Sequence, residues 1–138
     1  MTSTVSPINC NSSDTVPDIS LELGMAHDLL AAAASTIAAH DSPTVRAAVR
    51  QLINEAGKLL HAAARGYAAP HADRDVQSGM YRLLGLTYVL ARELEQPTPT
   101  DGGHVLDNPA HDVALIAASL AKELLAKETE LFHKRRAA

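Results

Sequence analysis

The segment HAAARGYAAPHADRD, residues 61–75, holds a dense group of side chains that could transfer protons or bind a phosphate. A histidine titrates near neutral pH and can act as a general base, while an arginine keeps a positive charge that can hold an anionic oxygen. The basic side chains that could form such a polar site are Arg65, His71 and Arg74. The segment is therefore either a site for phosphate chemistry or the polar turn between two helices.

Arg65 and His71 are separated by five residues, and this spacing within a helical chain resembles that of the HEPN-type ribonucleases. The resemblance covers seven residues and implies an RNA-cleaving or toxin-type domain in which this pair handles an RNA phosphate. Gly66 stands where that family has a polar residue. The interpretation we favour is a polar turn, with Arg65 at the carbonyl end of one helix. Asp73 and Asp75 then lie at the positive start of the next helix.

Histidines and carboxylates also gather around the other two predicted turns, and such side chains can bind zinc or another divalent cation. They are His40, Asp41, Asp101, His104, Asp107, His111 and Asp112. No pair of them has a spacing typical of metal ligands on one helix face. We expect surface side chains with no metal and no cofactor. A metal-binding bundle using His40, His104 and His111 is the third possibility.

Motifs for nucleophilic catalysis and for nucleotide binding are missing from the sequence. There is no Gly-x-Ser-x-Gly, no phosphate-binding glycine loop and no dinucleotide fingerprint, so no small-molecule ligand can be named. The single cysteine, Cys10, cannot form an intramolecular disulfide or a cysteine-based zinc site. No signal-peptide pattern and no run of roughly 18 apolar residues occurs. These features predict a soluble cytoplasmic protein without a membrane partner.

The charge distribution does not favour nucleic acid as a partner. The net charge is −4, and no lysine or arginine precedes Arg46. Acidic and basic blocks alternate along the chain, which is typical of helices that complement one another. A broad nucleic-acid surface would usually be basic overall.

The composition predicts an all-α protein. Apolar residues make up 46% of the chain and aromatic residues only 3%, and 25 residues are alanine. Alanine is the strongest helix former and is rare in strands. Apolar residues at three- and four-residue spacing predict four helices, at about residues 18–39, 43–65, 73–96 and 109–136. Ser42 before Pro43 and Asn108 before Pro109 are typical of helix starts.

Short connections between these helices favour antiparallel neighbours, so we predict an up-down-up-down four-helix bundle. Residues 18–138 form this single domain, and residues 1–17, rich in polar residues, form a flexible tail. The residues predicted to face the core in the second helix are Val45, Val49, Leu52, Ala56, Leu59, Leu60 and Ala63. Those of the fourth helix are Val113, Ile116, Ala117, Leu120, Leu124 and Leu131.

The third helix carries more apolar surface than one buried stripe requires. Its core stripe is Val76, Met80, Leu83, Thr87, Leu90 and Leu94, yet other apolar residues lie elsewhere on its circumference. A helix that is apolar on several sides is usually buried on more than one. The predicted interface consists of Tyr81, Gly85, Leu86, Tyr88 and Val89. The sequence therefore favours a non-enzymatic interaction protein that binds a protein partner or itself as a homodimer. Bundle neighbours that cover Leu86 and Val89 are the alternative.

Overall fold

The computed structural model describes residues 19–67, 73–97, 100–101, 104–105 and 108–137. These residues form the four predicted helices, which are α1 (Ser20–Ala39), α2 (Pro43–Gly66), α3 (Arg74–Glu93) and α4 (Pro109–Ala137). The predicted tail, residues 1–17, lies outside the described residues. Of the four helices, none is long and apolar enough to cross a membrane.

Each helix packs against two others, so that the four surround a common core. α1 contacts α2 and α4, and α3 contacts α2 and α4. At one end of the bundle, Arg46 at the start of α2 reaches Asp41 after α1, Glu93 at the end of α3 and Asn108 before α4. The start of α2 therefore lies beside the end of α1, and the start of α4 lies beside the end of α3. This arrangement confirms the antiparallel up-down-up-down bundle.

Polar side chains cap the starts of α2, α3 and α4. The backbone N–H of Val45 donates to Ser42 Oγ at 3.2 Å, and the N–H of His111 donates to Asn108 Oδ1 at 3.3 Å. Asp73 Oδ1 accepts two backbone N–H groups in the first turn of α3. These caps satisfy donors that a helix start leaves without an intrahelical partner.

Alanine supplies much of the core. Three of the six buried positions of α1 are alanines. α4, which contacts α1, has four buried alanines. Together these are Ala26, Ala33, Ala34, Ala110, Ala114, Ala117 and Ala121. Small side chains let neighbouring helix axes approach closely. The larger core residues come mainly from α2 and α3, where all six predicted core positions of the third helix are buried.

The prediction for the core face of the fourth helix was wrong in one important position. Ile116, predicted to point inward, is 57% exposed. The buried stripe of α4 instead follows the alanines and ends on Leu124 and Glu128. Most buried positions of α4 are therefore alanines, and Ile116 lies outside this stripe. In α2, similarly, Ile53 is buried and Leu52 only half-buried.

The connection from α3 to α4, predicted as a loop of turn formers, contains a short antiparallel ladder. The ladder joins β1 (Thr100–Asp101) to β2 (His104–Val105). Thr100 pairs with Val105, and Asp101 pairs with His104. Two glycines stand between the paired segments in the sequence, which is a composition typical of a tight hairpin.

Candidate functional site

The outward face of α3 carries large apolar side chains that the bundle does not cover. Tyr81 is 54% exposed, Tyr88 63% and Val89 51%. Gly85 is exposed on the same face, since a rotation of about 100° per residue places it directly opposite the buried stripe. Four of the five predicted interface residues are thus on the surface. The fifth, Leu86, is half-buried against the core.

The apolar surface continues from α3 onto α4. Leu86 lies in an open groove between the two helices, together with Arg82, Leu115, Ile116, Ser119, Leu120 and Glu123. Both Leu115 and Ile116 are about half exposed. We call the surface formed by Tyr81, Gly85, Tyr88, Val89, Leu115 and Ile116 the α3–α4 face. The α4 part of this face was not predicted, because the spacing of apolar residues in the sequence placed Ile116 in the core.

The other side of α3 borders a more polar surface. Tyr88 also lines a groove between α3 and α2, whose α2 wall includes Asn54, Lys58 and His61. Lys58 Nζ lies 3.0 Å from Glu55 Oε2 in the same wall. The flank of α3 toward α4 is therefore mainly apolar, with Arg82 and Glu123 at its groove, and the flank toward α2 is more polar.

Two of the three residues of the predicted polar site, Arg65 and Arg74, are described, and they lie on either side of the turn between α2 and α3. Arg65 is exposed in the last turn of α2 and Arg74 is exposed in the first turn of α3. Neither forms an ion pair with a described side chain, and His71 lies outside the described residues. The predicted grouping of Arg65, His71 and Arg74 therefore stays a prediction.

A buried tyrosine at this turn, Tyr67, was not predicted from the sequence. The Tyr67 hydroxyl donates to Glu128 Oε1 at 2.9 Å and accepts the backbone N–H of Asp73 at 3.2 Å. Gln77 Nε2 donates to the Tyr67 carbonyl oxygen at 2.9 Å, and Lys127 pairs with Asp75 at 3.1 Å. Tyr67 and Glu128 are both fully buried. The contacts of this turn thus tie α2, α3 and α4 together.

The opposite end of the bundle holds a buried arginine with five hydrogen bonds. Arg46 is only 3% exposed. It forms a bidentate ion pair with Asp41, in which Nε lies 2.8 Å from Oδ1 and Nη2 lies 2.9 Å from Oδ2. Its Nη1 donates to the carbonyl oxygens of Glu93 and Gln96, and its Nη2 donates to Asn108 Oδ1. The hydrogen bonds with Arg46 hold the pKa of Asp41 below its ordinary value.

Only some of the candidate metal ligands lie within the described residues. His40, Asp41 and His111 line one groove beside Asn108. The Asp41 carboxylate already accepts from Arg46 and from Asn108 Nδ2, the latter at 2.7 Å. No group of three histidine, cysteine or carboxylate side chains suited to a metal occurs in the described part of the chain. The side chains of Asp101, His104 and Asp107 lie outside it.

The chain matches no known protein-family model, no curated protein and no solved structure.

Proposed function

We propose that this protein is a non-enzymatic helical interaction protein that self-associates through the α3–α4 face. The observation that carries the proposal is the exposure of Tyr81, Tyr88 and Val89 on α3, together with that of Leu115 and Ile116 on α4. Exposed apolar side chains that adjoin one another are typical of interaction sites, whereas isolated ones are ordinary. Tyrosine is enriched in such sites, because its ring offers a large contact area and its hydroxyl tolerates water.

The buried polar groups of the bundle support a non-enzymatic role. Arg46 and Asp41 bind one another and the helix ends, and Tyr67 binds Glu128 inside the core. A catalytic group must reach a substrate, and these side chains are buried and hydrogen-bonded within the fold. Within the described part of the chain, these buried polar side chains bind partners inside the fold, whereas the apolar side chains of the α3–α4 face are exposed.

The experiment is a charge substitution on the α3–α4 face. Tyr81→Glu with Tyr88→Glu places two carboxylates where apolar surface would meet a second copy, and an unpaired buried charge is strongly unfavourable. We expect wild type to be a dimer and the double variant a monomer by light scattering. The helical circular dichroism spectrum should not change, since both side chains lie opposite the core.

A matched control lies on α1. Leu21 is exposed but stands apart from the α3–α4 face, so Leu21→Glu should leave the dimer intact. A monomeric wild type at high concentration would overturn self-association. Equal loss of the dimer in the control and in the double variant would show that added negative charge alone, and not the α3–α4 face, controls assembly.

A further inference from the structure

We propose that two copies pack with their α3 helices antiparallel and crossing at Gly85, which places Tyr81 of one copy against Tyr88 of the second copy. This inference rests on the proposed function and adds the orientation and register of the contact. It follows from three observations, namely the spacing of the exposed residues about Gly85, the unequal flanks of α3 and the open space beside Gly85.

The exposed apolar positions are nearly symmetric about Gly85. Tyr81 lies four residues before Gly85, and Tyr88 lies three residues after it. Around the helix axis, both tyrosines lie on the same side of Gly85. A twofold interface must be self-complementary, because residue i contacts j and j contacts i. With a twofold axis across the helix at Gly85, each Tyr81 faces a Tyr88 of the second copy. Two such aromatic pairs then form, and ring pairs of this kind favour offset or edge-to-face contact.

The flanks of α3 favour antiparallel over parallel packing. An antiparallel twofold places the α4 flank of one copy against the α4 flank of the other, so that Leu115 and Ile116 adjoin apolar surface. A parallel twofold places that apolar flank against the α2 wall with Asn54, Lys58 and His61. On the polar flank of the antiparallel pair, Lys58 already has Glu55 as an ion-pair partner.

Charge along α3 gives the same preference. In the parallel arrangement Arg92 faces Arg92 of the second copy, and like charges in contact repel each other. In the antiparallel arrangement Arg92, seven residues after Gly85, faces Ser78, seven residues before it. The antiparallel register therefore separates the two Arg92 side chains.

No contact within one chain requires a glycine at position 85. A Cβ atom there would meet no atom within 4 Å, whereas a Cβ at Gly79 would overlap Leu124 Cδ2. Glycine in the middle of a helix is less favourable than alanine. At Gly85 the missing side chain would let a second helix approach closely, and this close approach fixes the crossing point of the proposed pair.

Cysteine cross-linking tests the register, with Cys10→Ser in every variant so that only the introduced thiols react. Antiparallel packing puts residue 81 beside residue 88 of the second copy. It separates the two copies of residue 81 by about 12 Å along the helix and the two copies of residue 88 by about 9 Å. A disulfide needs Cα atoms about 4.4–6.8 Å apart. We expect a mixture of Tyr81→Cys and Tyr88→Cys to cross-link several-fold more than either variant alone.

The outcomes separate the register from the proposed function. A monomeric wild type would refute self-association itself. A dimeric wild type in which Tyr81→Cys cross-links with itself would show parallel packing. Cysteine variants that remain dimeric by light scattering but form no cross-link in any sample would place the interface elsewhere, and either of these last two results would overturn the proposed register.

A second variant covers the case in which cysteine at these positions weakens the dimer. Gly85→Ala adds one methyl group at the proposed crossing point and should raise the dimer dissociation constant by about tenfold. Gly66→Ala, which adds the same methyl group in open space at the end of α2, should have little effect. An unchanged dissociation constant for Gly85→Ala would overturn the crossing at Gly85.

Discussion

Arg46 and Asp41 form a bidentate ion pair in which both side chains are almost fully buried. The pair lies where the end of α1 meets the start of α2. The same guanidinium also binds the carbonyl oxygens of Glu93 and Gln96 at the end of α3, and the amide oxygen of Asn108 before α4. Arginine suits this position because its planar group presents several donors in a fixed geometry. One side chain therefore holds the ends of all four helices in register.

Removal of Arg46 should destabilise the bundle strongly. Arg46→Ala removes two donors from the Asp41 carboxylate, which keeps only the hydrogen bond from Asn108 Nδ2. It also removes one donor from each of the Glu93 and Gln96 carbonyl groups. Breaking a buried ion pair by removing one partner costs about 3–5 kcal/mol. We expect a loss of this size in the free energy of unfolding, measured by urea denaturation followed by circular dichroism.

Arg50 provides the matched control one turn further along α2. Its Nη1 lies 3.7 Å from Glu95 Oε2, and both side chains are largely exposed. Exposed ion pairs contribute little, so Arg50→Ala should change the free energy of unfolding by less than about 1 kcal/mol. Similar losses for Arg46→Ala and Arg50→Ala would contradict a special role for the buried pair.

The stability difference between wild type and Asp41→Asn should depend on pH. Hydrogen bonds from Arg46 lower the pKa of Asp41 below its ordinary value of 3.8 in the folded protein. A lowered folded-state pKa adds stability above the unfolded-state pKa, and this stability is lost as the pH falls through the folded-state value. We expect the difference in unfolding free energy to be constant near neutral pH and to narrow below about pH 4. A difference that did not change between pH 7 and pH 2 would contradict the ion pair.

Tyr67→Phe should weaken the other end of the bundle. The change removes the hydroxyl that donates to Glu128 Oε1 and accepts the backbone N–H of Asp73, while the ring stays in place. Loss of a partner in a buried hydrogen bond costs about 1–3 kcal/mol. Thermal unfolding should detect this loss. Tyr81→Phe, on an exposed tyrosine of α3, is the control and should leave the unfolding midpoint of the monomer nearly unchanged.

The helices and their order could be predicted because their signals are local. Ser42 with Pro43 and Asn108 with Pro109 mark helix starts within a few residues of sequence. The short connections then fix antiparallel neighbours. The exposed face of α3 could be predicted for the same reason, because large apolar residues define its buried stripe and leave Tyr81 on the other side.

The two buried polar clusters could not be predicted, because their partners are distant in the sequence. Arg46 binds Asn108, which lies 62 residues further along the chain, and Tyr67 binds Glu128, 61 residues away. Arginine and glutamate are rarely buried, so sequence patterns place them on the surface. Ile116 was misplaced for the opposite reason, since α4 packs through alanines and leaves its larger side chain exposed.

Two glycines of α3 should respond in opposite directions to the same substitution. A Cβ at Gly79 would overlap Leu124 Cδ2 and lie 3.2 Å from Leu124 Cγ, whereas a Cβ at Gly85 would meet open space. Overpacking a core contact costs about 1–3 kcal/mol. Replacing glycine by alanine in an exposed helix instead stabilises it by about 0.5–1 kcal/mol. At a concentration where the protein is monomeric, Gly79→Ala should lower the free energy of unfolding and Gly85→Ala should raise it.

Gly79→Ala combined with Leu124→Ala should show a smaller loss than the sum of the two single changes, because the second change removes the atoms that the new methyl group would meet. Additive losses, or a destabilised Gly85→Ala monomer, would contradict the packing of α3 against α4 described above.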